Sequence, residues 1–202
     1  MRVCKACLKR FKASSIFTFF DEGCPFCDTC LKQLKPHIHY RCIEGVKVCC
    51  LGFYEGLMKE LLIRYKSVLD YELKSVFLYP FATLISLALP GYLATWAPSK
   101  ESSIQERGFD HMEGICQFLR LKSMPLLVKA EGADQKKLAR DERRRVEDLI
   151  SLRSDARIRG KKILLIDDVI STGSTLLASY HALISGGAKK VRCLCLLDNS
   201  PR

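Results

Sequence analysis

Two adjacent carboxylates, Asp167 and Asp168, stand between the aliphatic run at 163–166 and the stretch Ser171, Thr172, Gly173, Ser174, Thr175, in a chain of formal net charge +11. The second stretch is small, hydroxyl-rich and followed by a helical pattern. Its backbone N–H groups and hydroxyls, with the positive end of the helix dipole, make a cradle for one phosphate. Carboxylates have no business on that phosphate. They accept hydrogen bonds from sugar hydroxyls, or hold a magnesium ion that offsets an anionic ligand. A ribose 5-phosphate satisfies both halves, with its phosphate in 171–175 and its 2- and 3-hydroxyls on Asp167 and Asp168.

A second chemistry lies near the N-terminus. Cys4 and Cys7 form one pair two residues apart, and Cys24, Cys27 and Cys30 offer two overlapping choices for another. A tetrahedral zinc ion needs four soft ligands at about 2.3 Å, and a two-residue gap lets both sulfurs of a pair reach one metal from a tight turn. Cys27 and Cys30 are the favoured second pair because Cys30 runs into the helical "LKQL", with Cys24 the alternative ligand. Cys42, Cys49 and Cys50 lie in "RCIEGVKVCCLGFY", which reads as a strand with packed thiols.

The elements that would position these groups divide the chain in two. Residues 1–48 are cysteine-rich and poor in apolar periodicity, as expected of a small zinc-finger or ribbon module. From Tyr54 onward, Leu57, Met58, Leu61, Leu62 and Tyr65 recur at helical spacing. The rest alternates helical patterns with short apolar runs, so residues 49–202 read as an α/β domain. "GYLATWAP", "MPLLVKA", "KKILLID" and "VRCLCLL" are the strand candidates, and "GFDHMEGICQFL" and Thr175–Ser185 the helices. The unbroken aliphatic run in "KKILLID" suits the middle of a parallel sheet. Residues 76–97 carry no charge over a length that could span a bilayer. Pro80 and Pro90-Gly91 break that segment, so it reads as a buried helix followed by a strand, and no transmembrane segment is expected. Eleven cysteines behind an N-terminus without an apolar signal core point to a reducing cytoplasm.

Several other sites are excluded. No G-x-x-x-x-G-K-[ST] precedes the acids and no G-x-G-x-x-G occurs, which removes Walker and Rossmann nucleotide sites. Residues 163–175 instead resemble the phosphoribosyl pyrophosphate motif of type I phosphoribosyltransferases. With the cysteine module, "QERGFDHM" and the basic "QKKLARDERR", almost the whole chain resembles the ComF/ComFC family of competence proteins, which place a zinc finger before a phosphoribosyltransferase-like domain and are linked to DNA uptake in natural transformation. The resemblance implies a parallel sheet with helices on both faces. It also implies pyrophosphate contacts from Ser99, Lys100 and Arg107, although Asp110 and His111 stand where the family usually has Asn and Gln.

The basic excess is uneven: residues 120–162 hold 14 basic against 7 acidic residues, and residues 1–50 hold 9 against 4. Lys136, Lys137, Arg140, Arg143, Arg144 and Arg145 form the densest part, the expected track for a single-stranded DNA backbone. The leading expectation is a phosphoribosyl pyrophosphate-binding, DNA-interacting protein that supports DNA uptake, with other uptake proteins as further partners and attachment to the inner membrane only through them. The alternative is an active, magnesium-dependent transferase with a nucleobase-like acceptor. The sequence assigns no catalytic residue.

Overall fold

The structure, a computed structural model, describes residues 1–12, 24–34, 36–130 and 150–200. The chain opens with a short antiparallel pair, β1 (Arg2–Val3) and β2 (Arg10–Phe11). Between them the Leu8 amide closes on the Cys4 carbonyl at 2.7 Å, with Leu8 at φ +60°. Helix α1 (Asp28–Gln33) follows, with Cys27 as its N-cap residue.

β3 (His39–Ile43) and β4 (Val46–Phe53) form a hairpin. The sequence reads this stretch as one strand. Glu44 and Gly45 both adopt positive φ, +48° and +83°, the conformation a two-residue hairpin turn requires, so the strand folds back on itself there. β4 crosses the expected 48/49 division and pairs in parallel with the last strand of the chain.

Helix α2 (Gly56–Ser67) buries Leu61, Leu62 and Tyr65. A 3-10 turn (Tyr71–Ser75), α3 (Ala82–Ala88) and β5 (Tyr92–Trp96) come next. The uncharged segment is thus divided among packed elements, and no helix among the described residues is long and apolar enough to cross a membrane. Two short helices, α4 (Glu101–Arg107) and α5 (His111–Cys116), lead to an antiparallel pair, β6 (Leu127–Lys129) and β7 (Ile150–Leu152). The chain ends in a βαβ unit: β8 (Lys162–Ile170), α6 (Ser174–Ser185) and β9 (Lys190–Asp198).

The central sheet has the order β3-β4-β9-β8-β5, parallel except for the β3 edge. Two cores sit on its two faces. One gathers Leu61, Leu62, Phe77, Ile85, Met112 and Ile115 over Leu164, Ile166 and Leu194. The other packs Leu176, Leu177 and Leu183 of α6 against Ile163, Leu165 and Cys193. Side chains alternate between faces with a period of two, which is why neighbours in β8 belong to different cores. A mostly parallel sheet thus carries helices on both faces, the α/β arrangement expected from the sequence.

Candidate functional site

β8 continues past the acids. Its register with β9 runs through Asp167↔Cys195 and on to Ile170↔Asp198, so the carboxylates lie inside a strand rather than in the loop after it. Opposite neighbours follow. Asp168 turns toward α2 and α5, where its Oδ2 accepts Lys66 Nζ at 2.6 Å and hydrogen-bonds His111 Nε2 at 2.7 Å. Its Oδ1 accepts the Val169 amide at 2.6 Å. Burial works against ionisation, but the hydrogen bond and charge of His111 and the Lys66 ammonium outweigh it and hold Asp168 well below the usual carboxylate range. Asp167 has the reverse balance. Burial and the Asp168 charge push it up to about 7, with Lys66 and Lys129 too weak to compensate. Its Oδ1 accepts the Asp168 amide at 2.9 Å, while Oδ2 takes no hydrogen bond from a described residue. That oxygen is open to a hydroxyl or to a hard cation such as magnesium, which needs only one or two carboxylates beside a phosphorylated ligand.

Around this pair lies a cleft of about 220 Å³ lined by Lys66, Ser99, Lys100, His111, Lys129 and Thr175 as well as both acids. It opens past the C-terminal end of β5 and along the C-terminal half of β8, the side of the sheet on which parallel α/β proteins receive ligands. Burial and the neighbouring Lys100 lower the Lys129 ammonium, and Asp167 opposes them. Arg107 is not among the lining residues. It ends α4, and its Nε and Nη2 are buried without a hydrogen-bond partner among the described residues.

The loop Ser171–Thr175 is held from below. Gly173 has φ +84° and serves as the N-cap of α6, whose first-turn amides have no intrahelical acceptors. A Cβ at Gly173 would come within 2.6 Å of Ile43 Cδ1. Ser174 donates its amide to Thr172 Oγ1 at 3.4 Å. Arg41 of β3 ties the loop to the sheet: Nη2 donates to the Ser171 carbonyl at 2.6 Å and Nη1 to Asp198 Oδ1 at 2.9 Å. His39 Nε2 takes the other Asp198 oxygen at 3.0 Å. Burial opposes that pair, yet the Asp198 hydrogen bond and the His37 carbonyl raise His39 above its ordinary value.

The structure therefore brings together Ser99, Lys100, Asp167, Asp168 and Thr175. Sequence reading missed Lys66, Lys129 and the clamp from Arg41. Lys66 lies in the last turn of an amphipathic helix and gave no signal. The departures at 110 and 111 were a signal. Asp110 accepts both the Met112 amide at 2.9 Å, capping α5, and Trp96 Nε1 at 2.8 Å, and so aims His111 at Asp168. Lys136, Lys137, Arg140, Arg143, Arg144 and Arg145 lie outside the described residues.

At the other end of the molecule, the sulfurs of Cys4, Cys7, Cys27 and Cys30 all lie within 4.8 Å of one another. A tetrahedron with 2.3 Å bonds has edges of about 3.8 Å, and Cys7 and Cys27 sulfurs are 3.9 Å apart. The four thiols can hold a metal such as zinc. Cys24 is turned away, its thiol donating to the Phe26 carbonyl at 3.5 Å. Burial raises the Cys4 thiol, but hydrogen bonds from the Cys27, Cys7 and Ala6 backbone outweigh it and bring it down to about 7. The group is docked on the sheet domain by Arg64 Nη1 on the Ala6 carbonyl at 2.7 Å and by Lys5 Nζ on Glu72 Oε2 at 3.0 Å.

A family model described as phosphoribosyl transferase domain matches residues 128–202. The competence protein ComFC of Streptococcus pneumoniae is 32% identical over 183 residues, covering 88% of this chain and 81% of that protein. An adenine phosphoribosyltransferase of Campylobacter jejuni is 32% identical over 97 residues, covering 47% of this chain and 53% of that protein. Among solved structures, a hypoxanthine-guanine phosphoribosyltransferase from Bacillus anthracis superposes with a TM-score of 0.43 at 16% identity, covering 63% of this chain and 70% of that one.

Proposed function

Because the chain belongs to the ComFC family of competence proteins and carries a phosphoribosyltransferase-like domain, we propose that it binds phosphoribosyl pyrophosphate and interacts with DNA in support of natural transformation. The observation that carries the ligand is convergence. An acid pair, the first turn of a helix behind a glycine loop, and the Ser99-Lys100 loop meet at one cleft. The 5-phosphate sits at Ser171, Thr172, Gly173, Ser174 and Thr175, on amides aimed by α6. The ribose hydroxyls and a magnesium ion share Asp167, and Asp168 holds Lys66 and His111 in place. Ser99, Lys100 and Lys129 face the pyrophosphate from the cleft wall, and Arg107, at the end of α4 outside that lining, is the further contact proposed for it. Magnesium, when bound, offsets the pyrophosphate charge.

Zinc at Cys4, Cys7, Cys27 and Cys30 is structural in this reading. The module and the phosphoribosyltransferase-like part remain the two units, with β3 and β4 contributing to the second one's sheet. The DNA track includes Lys136 to Arg145, and the protein works on the cytoplasmic side of the DNA-uptake machinery.

Transfer to a nucleobase-like acceptor is the second reading. It is favoured by three lysines at the cleft, which would stabilise a departing pyrophosphate. Both readings require the ligand. Magnesium phosphoribosyl pyrophosphate at 100-fold its Kd should stabilise the protein by about 2.7 kcal/mol in thermal unfolding. Asp167→Asn with Asp168→Asn should abolish that shift, and a wild-type protein that does not respond would refute the site.

A further inference from the structure

The face of the sheet that carries α2 and α5 near its C-terminal end exposes side chains at the other end, and the charged ones that β4, β8 and β9 show there are all basic. Lys162, Lys190 and Arg192 are all exposed or half-buried and occupy even positions of β8 and β9, the positions that further along place Leu164, Ile166 and Leu194 in the α2–α5 core. Lys47 joins them from β4, two residues before Cys49, which packs on that core. Register makes these a patch rather than a scatter. Lys162 is the direct partner of both Lys190 and Tyr92, and Val48↔Cys193 sets Lys47 beside Arg192.

Rings sit among the charges. Lys47 Nζ lies 4.0 Å from the centre of the Tyr40 ring and Lys162 Nζ 5.9 Å from that of Tyr92. Tyr40 is 64% exposed, on the edge strand. None of the four cations is ion-paired with a described residue. The acids of the same strands, Asp167, Asp168 and Asp198, all stand in their C-terminal halves. At about 3.3 Å per residue, six residues of β8 put the cleft at Asp168 some 20 Å from Lys162. Around the edge, Lys189 donates its amide to the Lys161 carbonyl at 2.8 Å, which brings two more exposed lysines to the same rim.

An ordinary solvated surface intersperses both signs. Four cations with no acid between them, across strands about 4.8 Å apart and ending on an exposed ring, match a flexible polyanion whose bases can stack. We propose that this open sheet face binds single-stranded nucleic acid through its phosphates, with Tyr40 as a stacking platform, at a site separate from the phosphoribosyl cleft. The choice of nucleic acid as the polyanion rests on the proposed DNA role; the location of the surface does not.

The test is fluorescence anisotropy of the full-length, zinc-loaded protein with an oligothymidylate of about 15 nucleotides, across a salt series. The variant Lys47→Gln/Lys162→Gln/Lys190→Gln/Arg192→Gln should bind at least about tenfold more weakly. Its slope of log affinity against log salt should fall by about 3, near 0.7 for each phosphate that the four cations would neutralise. Tyr40→Ala should weaken binding several-fold and leave the slope unchanged. Saturating magnesium phosphoribosyl pyrophosphate should not displace the oligonucleotide.

A quadruple variant with unchanged affinity and slope would overturn this surface and leave the DNA role to the segment at 136–145. Displacement by the phosphoribosyl ligand, or a preference for duplex of the same length, would overturn the open-face site as well. A wild-type protein that binds no oligonucleotide would remove both the surface and the DNA role. These side chains lie at the surface, so the variant's melting temperature should stay within a few degrees of wild type and loss of binding is not loss of fold.

Discussion

At the scale of residues, Asp167 and Asp168 are neighbours in sequence with opposed electrostatics. Asp168 is held ionised by His111 and Lys66, whereas Asp167 is pushed up to about 7 by burial and by Asp168 itself. The two contribute oppositely to stability against pH. A raised folded pKa means that Asp167 keeps its proton where the unfolded chain has released it, so its contribution is full below the ordinary value of 3.8 and is lost as pH rises through about 7. Asp168, depressed, contributes above 3.8 and loses that contribution as the solution is acidified. Asp167→Asn should therefore flatten the fall in melting temperature between pH 4 and 7, and Asp168→Asn should flatten the acid limb. Calorimetry from neutral pH down through the acid limb below 3.8 measures both slopes, and identical slopes in the two variants would contradict the assignment. Uptake of magnesium with ligand should also expel a proton from Asp167 near neutral pH, since the cation favours the ionised form.

Among the elements, the phosphate loop depends on a strand remote in sequence. β3 is the antiparallel edge of the sheet, yet it supplies Ile43 beneath Gly173 and Arg41 to the Ser171 carbonyl. Gly173→Ala meets two penalties, a left-handed φ and a Cβ crowded against Ile43, together about 2–4 kcal/mol. Chemical denaturation should register that loss. Shortening the opposing side chain in Gly173→Ala/Ile43→Val removes the Cδ1 and should recover part of it, since contacting residues couple. Additive losses would mean that the two do not touch. The sequence exposed the loop plainly, because hydroxyls and glycine before an apolar helix are a local pattern. It hid the clamp, because the pairing of β4 with β9, which carries the β3–β4 hairpin to the loop, is nonlocal.

On the scale of the whole molecule, the cysteine group is fastened to the domain that carries the ligand cleft. Cys4, Ala6, Phe26 and Cys30 belong to the same core as Leu61, Leu62 and Tyr65 of α2, and α2 delivers Lys66 to Asp168 at its other end. Loss of metal should therefore cost the whole protein stability. Elemental analysis should give one zinc per chain in the wild type and in Cys24→Ser, and little in Cys30→Ser, whose melting temperature should drop by several degrees or more. Equal zinc in both variants would show that Cys24 can replace Cys30 as a ligand.

The sequence by itself determined the local matters. It placed the acid pair, the phosphate loop, the paired cysteines, the α/β alternation and the family, because each is written in residue types a few positions apart. It left open which second cysteine pair closes the group, since Cys24 and Cys30 have equal spacing from Cys27; only the packed chain turns one of them away. It extended one strand through what is a hairpin, because, of the two turn residues, only Gly45 is a type that favours positive φ, whereas Glu44 is not. Above all, it gave the two acids one shared task. A β-strand sends successive side chains to opposite faces, and what waits on each face is decided by helices from elsewhere in the chain. Lys66 and His111 reach Asp168 across 102 and 57 residues, and that distance is why the tertiary structure alone could show that the two acids have different surroundings.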